Sequence, residues 1–404
     1  MTINNIGIIG VGKLGICYAA LFAKAGYRVF IYDINTNILD NIKNNKYNYY
    51  EPNLNDLISI YKSNLILSYQ LADVLNNCDI LFTFIQTPSL LNGLYNHEYI
   101  DNLVEDCIKY NNSNSKLLII NSTVIPEYCN SIKNKLLSNK FKLCYNPSFI
   151  AQGSIINNII NPDIILIGMD NDNDNDNDND NDNDNDNDND NDNDNDNDNE
   201  NENDNENDND NDNDNIINIY KNVINSKDTN IFKCMNLYEA EITKLSINCY
   251  ITFKISYANL IGDMVNNNKC NPDIVLNAIG SDARIGNKCL KYGFGYGGPC
   301  LPRDNKALYA YGNDKIDLHI CKNIDNINNN HLMFQYNQMK NAEEPIIFKY
   351  ITYKDNSDIL DESQKLKLAL LLANDNKKVI IYERQMIIDI LKKKYNNLFE
   401  YIII

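Results

Sequence analysis

Ile6-Gly7-Ile8-Ile9-Gly10-Val11-Gly12-Lys13-Leu14-Gly15 decides how this chain folds. Ile6–Ile9 is apolar without alternation, as in a strand covered on both faces. Ile16–Ala25 reads as a helix, and Arg28–Tyr32 as a second strand that ends on Asp33. A G-x-G-x-x-G run between strand and helix, with an acid about 20 residues on, is a dinucleotide-binding pattern. Gly10 makes the turn, Gly12 admits a pyrophosphate, and Gly15 lets helix and strand pack, while the helix N-terminus faces the phosphates. Asp33 accepts hydrogen bonds from ribose hydroxyls and repels a 2′-phosphate, which favours NAD over NADP.

Outward from this unit the strand pattern continues through 79–85, 116–121, 141–145, 162–168 and 230–233. Ligands bind outside the carboxyl ends of such strands. Thr87, Thr123 and the segment 146–153, with Ser148, Phe149, Ile150 and Gln152, are therefore expected to converge on the nicotinamide end. Singly, each is also an ordinary turn or cap residue. Leu237–Val265 reads as one long helix on which Lys244 and Asn248, four apart, share a face. A solvated face is the alternative, although Ile242, Leu245 and Ile247 are apolar.

The chain has 404 residues and a formal charge of −19. From 170 to 215 Asn alternates with Asp or Glu; this repeat holds 23 of the 55 acids, and the other 32 against 36 Lys and Arg leave +4. The body is near neutral, with no case for nucleic-acid binding. The repeat itself cannot bury a core and is expected to be a disordered expansion in a strand-to-helix loop. Eleven scattered cysteines without a CxxC pair suggest reduced thiols of a cytoplasmic protein. His97, His319 and His331 have no ligand spacing, so no metal site is expected. The glycines at 10, 12 and 15 interrupt the apolar start, which lacks the basic segment of a signal peptide. No run reaches the ~20 apolar residues of a membrane span.

Gly293-Phe294-Gly295-Tyr296-Gly297-Gly298-Pro299-Cys300-Leu301-Pro302-Arg303-Asp304 is the second singular stretch. Near cationic groups the Cys300 thiol is expected to be held as thiolate, a nucleophile; a buried, inert cysteine is the other reading.

Taken in order, Gly10–Gly15 with Asp33, Tyr50-Glu51-Pro52, Gln86-Thr87-Pro88, Ser122-Thr123-Val124, Asn146-Pro147, Lys244 with Asn248, Arg284-Ile285-Gly286 and Gly297–Cys300 with Arg303-Asp304 resemble the UDP-glucose 6-dehydrogenase (UDP-glucose/GDP-mannose dehydrogenase) family. The resemblance covers about 5–310 apart from the repeat, and more loosely 345–384. It implies a Rossmann-like α/β domain over 1–235 with the insertion at 170–215. A central helical dimerisation and cysteine region follows over 236–313, then a short second α/β domain over 340–404 that binds the nucleotide sugar. It also implies an oligomer, a dimer or larger, that oxidises UDP-glucose to UDP-glucuronate with two NAD⁺. Relatives acting on UDP-N-acetylmannosamine, UDP-N-acetylglucosamine or GDP-mannose are the alternatives, as is an impaired homologue that binds without turnover.

By the same resemblance Cys300 is the nucleophile, Lys244 and Asn248 hold the oxyanion, and Asp304 and Thr123 orient water and relay protons. Gly10, Gly12, Gly15, Asp33, Thr87, Thr123, Gln152 and Arg303 fall on the cofactor. Ser148, Phe149, Ile150, Lys244, Asn248, Arg284 (from a neighbouring subunit), Lys291, Phe294 and Gly297 fall on the sugar nucleotide. Ser148 and Gln152 stand where the family usually has glutamates, and Asp361 where it has a nucleotide-contacting arginine.

Overall fold

The computed structural model describes residues 4–46, 51–112, 114–150, 153–170, 208–312, 316–355 and 357–404. The strands β1 (Asn5–Ile9), β2 (Arg28–Tyr32), β3 (Leu65–Leu67), β4 (Ile80–Thr83), β5 (Lys116–Ile120), β6 (Phe141–Tyr145), β7 (Ile165–Gly168) and β8 (Phe232–Met235) form one sheet in the order β3-β2-β1-β4-β5-β6-β7-β8. Neighbours are parallel except β6 and β7, which meet antiparallel at Tyr145 and Gly168. The strand order reverses between β1 and β4, so a crevice opens at their carboxyl ends.

Ile6, Ile8, Phe82, Leu117 and Ile119 pack on one face of this sheet, and Ile9, Leu81, Leu118 and Ile120 on the other. Both faces are covered, which is why these strands read as unbroken apolar runs. β3 escaped the sequence reading because three residues at a sheet edge carry too little pattern.

The acidic repeat is corrected at its C-terminal end. Residues 171–207 lie outside the described residues, but a helix spans Asp208–Lys221 and so begins inside the repeat expected to be disordered to 215. Ile216, Ile219 and Tyr220 are buried in the sheet core. A helix nucleated there extends into weak sequence at little cost, and acids suit its first turns. Asp212 also pairs with Lys142 at 3.0 Å.

The expected long helix runs from Leu237 to Asn267. The Asn236 side chain accepts from the Glu239 N–H, and the Glu239 carboxylate accepts from the Asn236 N–H, a capping box. Its first turns lie close to the sheet: a Cβ on Gly168 would come 2.6 Å from that of Ala240. At the next residue, the fully buried Glu241 carboxylate accepts the N–H of Glu127 at 2.7 Å and that of Cys129 at 2.8 Å, capping the Tyr128–Leu137 helix.

A second sheet holds β9 (Ile346–Lys349), β10 (Val379–Glu383) and β11 (Glu400–Ile403), all parallel, in the order β11-β10-β9. Phe348, Ile381, Leu368 and Ile387 close its core. The chain is α/β throughout, and among the described residues no helix is long and apolar enough to cross a membrane.

Burial raises the Glu241 carboxyl to about 7 despite its hydrogen bonds, which favour the charged form. A carboxyl raised on folding binds more protons in the folded state between the unfolded value and about 7, so it loses stability as pH rises through that window. Thermal melts from pH 5 to 8 should fall for the parent chain and run flatter for Glu241→Gln; equal slopes would show that this group does not control the pH response.

Candidate active site

The glycine loop after β1 satisfies the demands of a dinucleotide cradle. Gly10 has φ +88°, and a Cβ there would stand 2.6 Å from the Phe84 carbonyl oxygen. At Gly15 a Cβ would meet the Gly10 carbonyl oxygen at 2.0 Å, so only glycine lets this helix start against the strand. Gly12 has nothing within 4 Å of such an atom; the space over it is open to a pyrophosphate at the N-terminus of the Lys13–Lys24 helix. Asp33 is aimed by the backbone, accepting the Val11 N–H at 2.9 Å and the Asn35 N–H at 2.8 Å. Lys13, inside the loop, pairs with Asp358 of the C-terminal segment at 2.8 Å. The residues present fit NAD.

Thr87 and Thr123 do converge beyond β4 and β5: the Thr87 hydroxyl donates to the Thr123 carbonyl at 2.8 Å. The segment after β6 meets the long helix there. Buried Lys244 donates to the Ser148 carbonyl at 2.8 Å, with its ammonium 4.4 Å from the Phe149 ring centre. The Ser148 hydroxyl shares a hydrogen bond with the Tyr18 hydroxyl. Ile150 packs against the sheet core. Gln152 and Tyr50 lie outside the described residues.

Cys300 immediately precedes the Leu301–Gly312 helix, whose first turn closes with the Asp304 N–H donating to the Cys300 carbonyl at 2.8 Å. The fully buried Asp304 carboxylate accepts from the Asn248 amide at 2.6 Å, the Tyr95 hydroxyl at 2.6 Å and Arg303 Nε at 3.3 Å. Arg303 Nη1 also donates to the Thr87 carbonyl at 3.2 Å, which ties this cluster to the cofactor end of the crevice.

The surroundings of Cys300 run against the expected resting thiolate. Although Cys300 has an exposed edge, the surrounding protein and the Asp304 charge push its thiol above the ordinary value, and Arg303 and Lys244 only partly offset them. Burial pulls Lys244 below its usual range, against the pull of Asp304 and Cys300. The cluster thus holds a thiol and an amine whose proton is easier to lose than usual, beside one carboxylate.

The loop 293–298 lies against the C-terminal segment. A Cβ on Gly297 would stand 2.3 Å from the Glu362 carbonyl oxygen, and the Gly298 N–H donates to the Asp361 carbonyl at 3.1 Å. Asp361 itself is exposed. Phe294 is partly exposed, with Lys365 5.5 Å from its ring centre. Arg284 and Lys291 are exposed and not gathered into this cluster; Arg284 pairs locally with Asp282 at 2.7 Å. Tyr95 was missed: a tyrosine in a polar loop carries no signal of the carboxylate it will meet.

The family model for the NAD-binding domain of UDP-glucose/GDP-mannose dehydrogenases matches residues 4–180, and that for the central domain matches 238–330. The chain belongs to the UDP-glucose/GDP-mannose dehydrogenase family. This is a family of NAD-using nucleotide-sugar dehydrogenases, and NAD is its cofactor. A UDP-glucose 6-dehydrogenase of Bacillus subtilis is 24% identical over 393 residues, covering 94% of this chain and 79% of that protein. One of Campylobacter jejuni is 26% identical over 387 residues, covering 94% and 86%. Among solved structures, a UDP-glucose dehydrogenase of Pyrobaculum islandicum superposes with a TM-score of 0.80 at 21% identity, over 99% of this chain and 86% of that one. A UDP-D-ManNAc dehydrogenase of Pyrococcus horikoshii gives 0.71 at 19% identity, over 94% and 83%. These last two share the fold.

Gly12→Ala should fold with stability changed by ~0.5 kcal/mol or less and bind NAD about tenfold or more weakly, ~1.4 kcal/mol. Gly15→Ala should lose several-fold more stability than Gly12→Ala. Melting curves and NAD titration of both variants separate the two roles; unchanged NAD affinity in Gly12→Ala would remove the cradle assignment.

Proposed function

We propose that this chain oxidises the 6-hydroxyl of UDP-glucose to the carboxylate in two steps, through a thioester on Cys300. The reading is carried by one juxtaposition: Cys300, Lys244, Asn248 and Asp304 lie together beside Thr87 and Thr123 at the cofactor end. NAD⁺, when bound, accepts a hydride in each of the two oxidations.

The chain's own residues do the rest. After the first oxidation the substrate is an aldehyde, which has no hydride to give until a nucleophile makes its carbon tetrahedral. The Cys300 sulfur bonds to that carbon, the C=O π bond opens onto oxygen, and the thiol proton passes to solvent water. Because the resting group is a thiol, proton loss belongs to this step. The oxygen becomes an oxyanion within reach of the Lys244 ammonium and the Asn248 amide, whose second N–H is not engaged by Asp304. A Lys244 proton made labile by burial suits a group that shares it with an alkoxide. The second oxidation leaves the thioester. A water oxygen then bonds to the acyl carbon and the C–S bond breaks. One water proton returns to sulfur and the other leaves with the acid.

UDP-glucose is the favoured substrate because the Bacillus subtilis and Campylobacter jejuni relatives carry it in their names. A sugar nucleotide is expected to lie along 293–298 against the 353–362 segment, with Lys365 supplying charge that Asp361 does not. One specific residue favours a second reading, a trapped acyl-enzyme: Ser148 offers a hydroxyl and a carbonyl where a carboxylate would assist hydrolysis.

We also propose a homodimer on the long helix. Tyr250, Phe253, Tyr257, Leu260 and Met264 expose a stripe spaced three and four residues apart, hence one helix face. The exposed Arg284 then reaches a neighbouring copy.

Mixing protein, NAD⁺ and a panel of nucleotide sugars tests the chemistry: two NADH per UDP-glucose are expected, and at most one, with the aldehyde left unoxidised, from Cys300→Ala. NADH from another sugar alone reassigns the substrate; a burst with a lasting mass adduct on Cys300 selects the trapped enzyme; no NADH from any sugar ends the enzymatic reading. For the assembly, sedimentation should show a dimer that Tyr257→Asp with Met264→Glu converts to monomer; an unchanged mass would reject this face.

A further inference from the structure

Tyr95 reaches the cluster from a side the motifs do not mark. After β4 the chain makes a tight turn, with an isolated antiparallel bridge between Ser89 and Tyr95 and the Leu90 N–H donating to the Leu94 carbonyl at 2.7 Å. Gly93 at its tip has φ +93°, and a Cβ there would touch Ala310 at 3.3 Å on the helix that carries Asp304. The Tyr95 ring is buried with Leu245 and Ala307. Its hydroxyl donates to Asp304 Oδ1 at 2.6 Å, and the Arg303 guanidinium lies 4.7 Å from its ring centre.

A buried carboxylate with three donors from three separate segments has its plane fixed, and each donor removed frees one rotation and leaves an acceptor unsatisfied. Asn248 holds one oxygen, and Tyr95 with Arg303 holds the other. Arg303 at 3.3 Å is the longer of the latter two, so Tyr95 is the tighter constraint on Oδ1.

We propose that Tyr95 is a positioning residue for thioester hydrolysis, fixing the Asp304 carboxylate that orients the attacking water in a site where Ser148 supplies no second acid. The inference rests on the function proposed above, but its structural half, a Tyr95 hydroxyl that partly neutralises Asp304 beside Cys300, can be read without turnover. The step it serves needs no further reagent: water supplies the oxygen, and the C–S bond is the one that breaks.

Tyr95→Phe removes one oxygen and keeps the ring under Arg303. With NAD⁺ and UDP-glucose, the burst of two NADH per Cys300 should persist with kcat/KM for the sugar unchanged. Steady-state turnover should fall about tenfold to hundredfold, with an acyl adduct gathering on Cys300 by intact mass. In an Asp304→Asn background the same substitution should change nothing further. Independently of any substrate, alkylation of Cys300 by iodoacetamide at fixed pH should slow several-fold in Tyr95→Phe, because the less neutralised carboxylate disfavours the thiolate, and should quicken in Asp304→Asn. Unchanged turnover, or unchanged alkylation, in Tyr95→Phe overturns the proposal; so does a burst that falls in step with steady-state turnover and melting temperature. A parent chain silent toward every sugar refutes the proposed function instead, and alkylation still decides whether Tyr95 governs Asp304.

Discussion

The seating of the first turns of one helix against the sheet is the constraint from which the rest of this molecule follows. Between Asn236 and Asn248 the long helix presents Ala240 to Gly168, Glu241 to the amides of Glu127 and Cys129, Lys244 to the Ser148 carbonyl and Asn248 to Asp304. These partners come from the segments after β5 and β6, from β7 and from the helix after Cys300. A small residue is obligatory at the sheet contact, because no larger side chain fits where a Cβ would stand 2.6 Å from Ala240. The capping box fixes where the helix begins, and hence which residues of its first turns face the sheet.

This seating carries an electrostatic cost that the site turns to use. Glu241, Lys244 and Asp304 are all removed from water. Glu241 answers with two backbone N–H donors, Lys244 with a carbonyl, and Asp304 with an amide, a phenol and a guanidinium. Burial lowers the Lys244 ammonium, and desolvation with the Asp304 charge raises the Cys300 thiol, so both shifts disfavour the charged forms. In the reaction proposed above, such a site would keep Cys300 neutral until an aldehyde arrives and its proton can leave. Cations near a cysteine do not by themselves make a thiolate: desolvation and a neighbouring carboxylate outweigh them here.

The two sheets are joined at the ligand-facing edge as well as by sequence. Lys13 of the glycine loop pairs with Asp358, and Gly297 and Gly298 lie against 353–362. Side chains at either glycine would collide with that segment. Gly297 and Gly298 therefore answer to the C-terminal segment as much as to any sugar.

By itself the sequence determined the parts that rest on local pattern. Unbroken apolar runs marked strands covered on both faces, Gly10, Gly12 and Gly15 with Asp33 marked the dinucleotide cradle, and Lys244 and Asn248 fell on one helix face by spacing alone. Ordered motifs were enough for the family, because many short constraints in sequence order are hard to meet by accident. Tertiary structure decided what depends on distance across the chain. It reversed β7 against β6, carried the helix into the acidic repeat by anchoring Ile216 and Ile219, and pushed the Cys300 thiol upward through desolvation and the Asp304 charge. It also brought Tyr95 to Asp304 across 209 positions. Local propensity reports a residue's immediate neighbours. Desolvation and carboxylate geometry arise only when remote segments close around them.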